Sequence, residues 1–268
     1  MEAYQLNAIL TGVLAAVACA LPGVFLVLRR LALVSDAIGH VVLLGIVLGF
    51  LLVGELGSPV LLVGAAATGL VLVAAVEALQ RTRLVREDAA IGLVFPALFS
   101  LGVILVSRYA RNVHLDVDAV LLGDLVYAAE SFPTAILVVL LLNVVFLSLC
   151  YKELKLATFD PQSAWLLGFA PGCLHYALMG MVSLTAVVAF DVFGSILVVA
   201  FMVVPALIAR LLTDRLGLLL VLAGLVAAVA AVVGCGVALA LDINFAGAMT
   251  AVLGGGFVAV WARYGATR

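Results

Sequence analysis

Charge is what this sequence has least of. Lys, Arg, Asp and Glu make up 10% of its 268 residues, and the lysines are only Lys152 and Lys155, whereas soluble domains carry about a quarter charged residues. With 67% hydrophobic residues and a mean hydropathy of +1.39, the scarcity excludes a water-soluble domain and defines a polytopic membrane protein. The net charge of −2 says little about partners, because charge in such a protein matters by side of the bilayer. No nucleic-acid partner is expected. Cys19, Cys150, Cys173 and Cys235 are widely spaced with no C-x-x-C pair, which gives neither a disulfide framework nor a thiolate metal site. A P-loop needs Gly-Lys followed by Ser or Thr. The lysines follow Tyr151 and Leu154, so any ATP hydrolysis belongs to another chain. The zincin pattern H-E-x-x-H is also missing, which argues against an intramembrane metalloprotease. The first residues, MEAYQLNAILTG, lack the basic region and cleavage site of a signal peptide, so the first apolar run is expected to remain as a span.

What is there is a series of apolar runs, each long enough for the roughly 20 residues a membrane helix needs. Spans are expected near 7–28, 33–53, 59–79, 90–107, 132–151, 173–190, 193–212, 217–240 and 246–263, making an all-α bundle of about eight or nine helices in one transmembrane domain, 1–268. Basic residues set its orientation. Arg29 and Arg30, Arg81, Arg83 and Arg86, Lys152 and Lys155, Arg210 and Arg215, and Arg263 and Arg268 follow the odd-numbered runs. The positive-inside rule therefore puts the N-terminus outside and the C-terminus in the cytoplasm. The loop 108–118 departs from that pattern through Arg108 and Arg111. Small-residue patterns such as Gly45-x-x-x-Gly49 and Gly254-Gly255-Gly256 predict close helix packing.

Two polar residues interrupt the second run. In VSDAIGHVVLLG, Asp36 and His40 stand four apart and so share a helix face. Carboxylate oxygen and imidazole nitrogen suit first-row divalent cations, and a two-fold axis beside them would double the ligands to four. An ionised Asp at mid-membrane costs about 2.5–3.5 kcal/mol even on the lenient insertion scale, which favours a functional reason for it. The competing reading has Ser35 or Asp36 cap the start of the helix, with His40 an interior histidine bonded to a carbonyl.

The longest polar interval, 152–172, falls on the cytoplasmic side of this topology. Within it DPQSAWLLG predicts a short helix with Asp160 as N-cap, Pro161 first and Gly168 as terminator, exposing Trp165, Leu166 and Leu167. Such a helix either lies on the membrane surface or docks on another protein. On the other side, His114, Asp116 and Asp118 could accept a cation and Asp191 could line an outer gate, although loop and turn roles suffice for all four. Glu87 and Asp88 suit the N-terminus of the fourth span, Glu77 can pair with Arg81 at i+4, and His175 has no partner at ligand spacing.

These residues together resemble a family. LALVSDAIGHVVLLGIVLGFLL (31–52), REDAAIGLVFPALFSLGVILVS (86–107), LDVDAVLLGDLV (115–126), FDPQSAWLLG (159–168) and VVAFMVVPALIARLLTDRL (198–216) look, in that order, like the permease subunits of manganese, zinc and iron ABC importers. The resemblance implies a type II ABC importer-like permease in the bacterial inner membrane. It further implies a homodimer or a pairing with a close paralogue, two cytoplasmic ATPase subunits bound through a coupling helix, and an extracytoplasmic metal-binding protein. It carries the metal ligands onto Asp36 and His40 and the coupling segment onto Asp160, Pro161, Trp165, Leu166 and Gly168. No intrinsic cofactor is implied, the divalent metal being cargo. The chain departs from the family where Gly39 replaces a Ser before the His, Leu44 a Pro four residues after it, and Phe245-Ala246-Gly247 a Pro-Ser-Gly turn. A proton-coupled secondary transporter with Asp36 and His40 as relay is the alternative.

Overall fold

The computed structural model describes residues 2–54, 59–82, 84–109 and 134–264. In lipid every backbone N–H and C=O must be satisfied within its own segment or barrel, and all regular structure among the described residues is helical. The elements are α1 (Glu2–Leu28), α2 (Ala32–Val53), α3 (Pro59–Arg81), α4 (Glu87–Tyr109), α5 (Thr134–Leu149), α6 (Tyr151–Phe159), α7 (Pro161–Leu166), α8 (Pro171–Leu212), α9 (Leu216–Leu241) and α10 (Phe245–Tyr264). Among the described residues, eight spans are long and apolar enough to cross a membrane, and α5 with α6 supplies a ninth only as a broken one.

Three of the expected spans are reshaped. The fifth stops at Leu149, and the chain turns by 72° into α6. The sixth and seventh spans, Pro171–Phe190 and Val192–Leu212, form the single helical stretch α8, broken at Gly194. Its φ of 72° and ψ of 169° lie in a region open essentially to glycine alone.

The stretch α8 is the centre of the bundle and packs against α1, α2, α3, α9 and α10, while α5 lies along α1 and α8. Phe25 of α1 and Phe193, Leu197, Phe201 and Met202 of α8 are among the fully enclosed core side chains. Lipid tails are as apolar as these residues, so close backbone approach and interhelical hydrogen bonds provide the specificity. Both occur. A Cβ on Gly45 would sit 2.6 Å from the Cα of Ala65, so α2 and α3 touch there through backbone. Gly254 and Gly255, marked in the sequence by the same pattern, have open space beside them. Asn143 of α5 is fully buried, and its side-chain amide donates to the Ala18 carbonyl of α1 (3.3 Å) and to Thr185 Oγ1 of α8 (2.8 Å).

Candidate metal site and coupling helix

Helix α2 begins at Ala32 with Leu31 in the N-cap position and no side-chain cap. Ser35 is buried and donates back to the Ala32 carbonyl at 2.7 Å, as an interior helical serine does. Asp36 lies a full turn inside. Neither residue caps the helix, so the competing reading of this pair loses its basis. At about 1.5 Å per residue, Asp36 is roughly 6 Å and His40 roughly 12 Å along the axis from Ala32. The carboxylate is therefore nearer the basic end of the span than the mid-membrane position expected from the sequence.

The two side chains face the same way without bonding each other. His40 Nε2 is 3.7 Å from Asp36 Oδ1, beyond hydrogen-bond length, which leaves lone pairs on both for another partner. Both open outward from the single chain, with Asp36 51% and His40 30% exposed. On the α4 side the His40 ring meets Phe95 and Phe99, with centroids at 5.6 and 6.2 Å. Gly39, where the family pattern has Ser, is occupied from α8: a Cβ there would come within 2.6 Å of the Phe190 ring. Among the described residues no third His, Cys, Asp or Glu joins the pair. Two ligands fall short of the four or more that such cations take. His114, Asp116 and Asp118 lie outside the described residues, as does the side chain of Asp191.

The segment 159–169 folds as its local chemistry dictates. Asp160 accepts from the backbone N–H of Ser163 at 3.0 Å and from its hydroxyl, and Pro161 follows at the first helical position. These bonds hold the exposed Asp160 carboxyl below its usual range. At the other end Gly168 takes φ 84°, its N–H reaches the Trp165 carbonyl, and the Phe169 N–H reaches Ala164. That pair of bonds is the Schellman termination, with Gly168 as the left-handed residue. Ala164 is buried while Trp165, Leu166 and Leu167 are 68%, 77% and 68% exposed, so the helix turns its apolar side outward.

A third group of residues is visible only in three dimensions. His175, which lacks a partner at ligand spacing in the sequence, places Nε2 2.9 Å from Glu77 Oε1 of α3. Its Nδ1 is 3.3 Å from Arg29 Nη1 at the end of α1, and Arg29 Nε donates to Thr158 Oγ1 of α6 at 3.1 Å. Tyr176 donates its hydroxyl to Glu77 Oε2, and Arg81 approaches the same oxygen at 3.8 Å, the expected i+4 pair. The partners are 98 and 146 residues apart in the chain, and the clustering of basic residues at the ends of odd-numbered spans is the only sequence signal that places them together. These contacts bring the ends of α1, α3 and α6 and the start of α8 to one face of the bundle.

The fold is thus a helical membrane bundle with a carboxylate and an imidazole on one face of α2 and a short helix exposing Trp165, Leu166 and Leu167 at its basic end. The chain belongs to the ABC 3 transport family, which matches residues 1–263. It is 48% identical over 258 residues to the manganese transport system membrane protein MntD of Bacillus subtilis, covering 92% of this chain and 87% of that protein. It is 50% identical over 267 residues to the zinc transport system membrane protein TroD of Treponema pallidum, covering 96% of this chain and 73% of that one. The fold matches a chain of PsaBC from Streptococcus pneumoniae, solved in complex with Fab, with a TM-score of 0.83 at 24% identity over 96% of this chain and 91% of that chain.

Proposed function

We propose that this chain forms, with a second permease chain, the membrane path of an ATP-driven importer for divalent manganese, zinc or iron, and that Asp36 and His40 are the ligands its cargo meets there. One observation carries the reading: a carboxylate and an imidazole that do not hydrogen-bond each other share one face of a span and open outward from the single chain. A half-exposed carboxylate on a lipid-facing helix is unfavourable, so another surface covers it. A second copy or a close paralogue meets that need and supplies two more ligands. Its two-fold axis then passes between the α2 helices, and the dimer interface is the path.

The remaining partners follow from chemistry the chain lacks. Its lysines stand in no P-loop, so ATP hydrolysis is assigned to separate cytoplasmic subunits, which α7 engages through Trp165, Leu166 and Leu167. The basic ends of the spans then lie in the cytoplasm with the C-terminus, and the N-terminus faces the donor metal-binding protein outside. The relatives named for manganese and zinc transport support this cargo class. Membership of an ABC family disfavours the proton-relay alternative, which needs no ATPase. Asp191 and the loop bearing His114, Asp116 and Asp118 are assigned to the outer entrance.

The test is ATP-dependent uptake of Mn²⁺, Zn²⁺ and Fe²⁺ by the reconstituted complex. Asp36→Ala and His40→Ala are each expected to abolish uptake while the complex stays assembled, and normal transport by both would overturn the site. Uptake by the permease alone under a proton gradient would favour the alternative. Trp165→Glu is expected to weaken ATPase association, and unchanged assembly would overturn the role of α7.

A further inference from the structure

The cluster at the basic end carries an inference about how motion of α7 reaches the metal path, and it rests on the reading of α7 as the docking helix. Arginine has only donors, so Arg29 can bond His175 only by donating to Nδ1. The proton of the neutral ring then sits on Nε2 and is donated to Glu77. The donations therefore diverge from Arg29 and converge on Glu77: Arg29 Nε to Thr158, Arg29 Nη1 to His175 Nδ1, His175 Nε2 to Glu77 Oε1, and Tyr176 to Glu77 Oε2.

We propose that His175 is a positioning residue that couples α7 to the helices of the metal path. Thr158 is two residues before Asp160, the N-cap of α7. Arg29 is fixed by the chain reversal that ends α1: Arg30 takes φ 62°, its N–H reaches the Val27 carbonyl, and the Leu31 N–H reaches Leu26. The reversal leads directly into α2, seven residues before Asp36. Glu77 belongs to α3, which touches α2 backbone to backbone at Gly45. A displacement of α7 thus pulls on the α1–α2 turn and on α3 together, and the α2 that bears Asp36 and His40 is held by both.

The strap is intact only with neutral His175. A proton on Nδ1 turns the Arg29 contact into donor against donor, while the Glu77 contact survives as an ion pair. Arg29 faces the ring from α1 and Glu77 from α3; Arg81 and Tyr176 act on it through Glu77. His175, Glu77 and Gln80 line a cleft between α2, α3, α4 and α8 that opens to solvent, which gives the ring a route for proton exchange.

The experiment is the number of Mn²⁺ ions moved per ATP hydrolysed by the reconstituted complex, read beside Mn²⁺ affinity and ATPase association. His175→Phe is expected to lower the ratio about tenfold, with affinity and association as in the parent. His175→Gln, whose amide can accept from Arg29 and donate to Glu77, is expected to restore it. In the parent the ratio falls as pH drops below about 6.5, and in His175→Gln it stays level. Thr158→Val keeps the side-chain shape, removes the acceptor for Arg29 and is expected to lower the ratio several-fold, which preserves the test if His175→Phe fails to fold. Parent-like coupling in His175→Phe and Thr158→Val, or equal loss in His175→Gln and His175→Phe, would overturn the proposal. Trp165→Glu separates the two readings: if it leaves ATPase association unchanged, the docking helix itself is wrong, whatever His175 does.

Discussion

A single methyl group on Gly45 should be among the most damaging small changes in the spans. The Cβ of Gly45→Ala would sit 2.6 Å from Ala65 Cα and 2.6 Å from Thr68 Oγ1, where ordinary contact begins at 3.4 Å. Thr68 can rotate, but the Cα of Ala65 and the still closer carbonyl oxygen of Gly64 are backbone, so α2 and α3 must part by at least about 0.8 Å. Overpacking of this kind costs about 1–3 kcal/mol. Alanine also gains up to about 1 kcal/mol of helix propensity over glycine, which is removed by comparison with Gly236→Ala in α9, where nothing lies within 4 Å of the new Cβ. The prediction is that Gly45→Ala melts on the order of 3–10 °C below Gly236→Ala in the detergent-purified complex, at about 2–4 °C per kcal/mol. Because His40 is five residues away on α2, the shift also misplaces the imidazole proposed to meet the cargo. A misplacement of about 1 Å can cost roughly a hundredfold in rate, so uptake should fall well below that of Gly236→Ala at equal amounts of folded complex. Equal melting temperatures would refute the reasoning, because they would mean the α2–α3 contact gives without cost.

Other tests address the buried polar link and the cap of α7. Asn143→Leu removes the bonds to Ala18 and Thr185 but also an amide oxygen with no partner among the described residues. The loss should be near the membrane average of about 0.6 kcal/mol and below about 1.7 kcal/mol, and a melting shift as large as that of Gly45→Ala would contradict it. Asp160→Ala should reduce ATPase association, while Asp160→Asn keeps a capping oxygen and should bind nearly as the parent. The Ser163 bonds lower the Asp160 pKa, so the stability its charge confers is complete above the unfolded carboxylate value and is lost only as pH falls through the lowered folded value. Association measured between about pH 6 and 8 should therefore show no Asp160 titration, and a change in that window that Asp160→Asn removes would refute this assignment.

Local chemistry made much of this legible. Asp160, Pro161 and Gly168 specify α7 among themselves, because N-cap, first-turn proline and left-handed terminator each act within a few residues, and the structure repeats that grammar bond for bond. Asp36 and His40 share a face because four residues make one turn. His175 was illegible for the opposite reason: its bonds run to Arg29 and Glu77 across three helices, and nothing near it in the chain indicates them. Glycine spacing was an uneven guide. It found the α2–α3 contact at Gly45 and equally marked Gly254 and Gly255, where an added Cβ would meet nothing within 4 Å among the described residues, since a small residue permits close approach without requiring it.

The sequence by itself determined that this protein is a bundle of membrane helices with Asp36 and His40 on one face of the second span and a capped apolar helix near residue 160, because hydropathy, i+4 spacing and capping are rules of short range. Tertiary structure alone decided that the fifth span breaks at Leu149, that the sixth and seventh spans run on as one helical stretch broken at Gly194, that Asp36 and His40 open outward, and that Arg29, His175 and Glu77 meet. Those outcomes depend on which helix faces pack together, and packing between residues a hundred positions apart is set by the whole bundle.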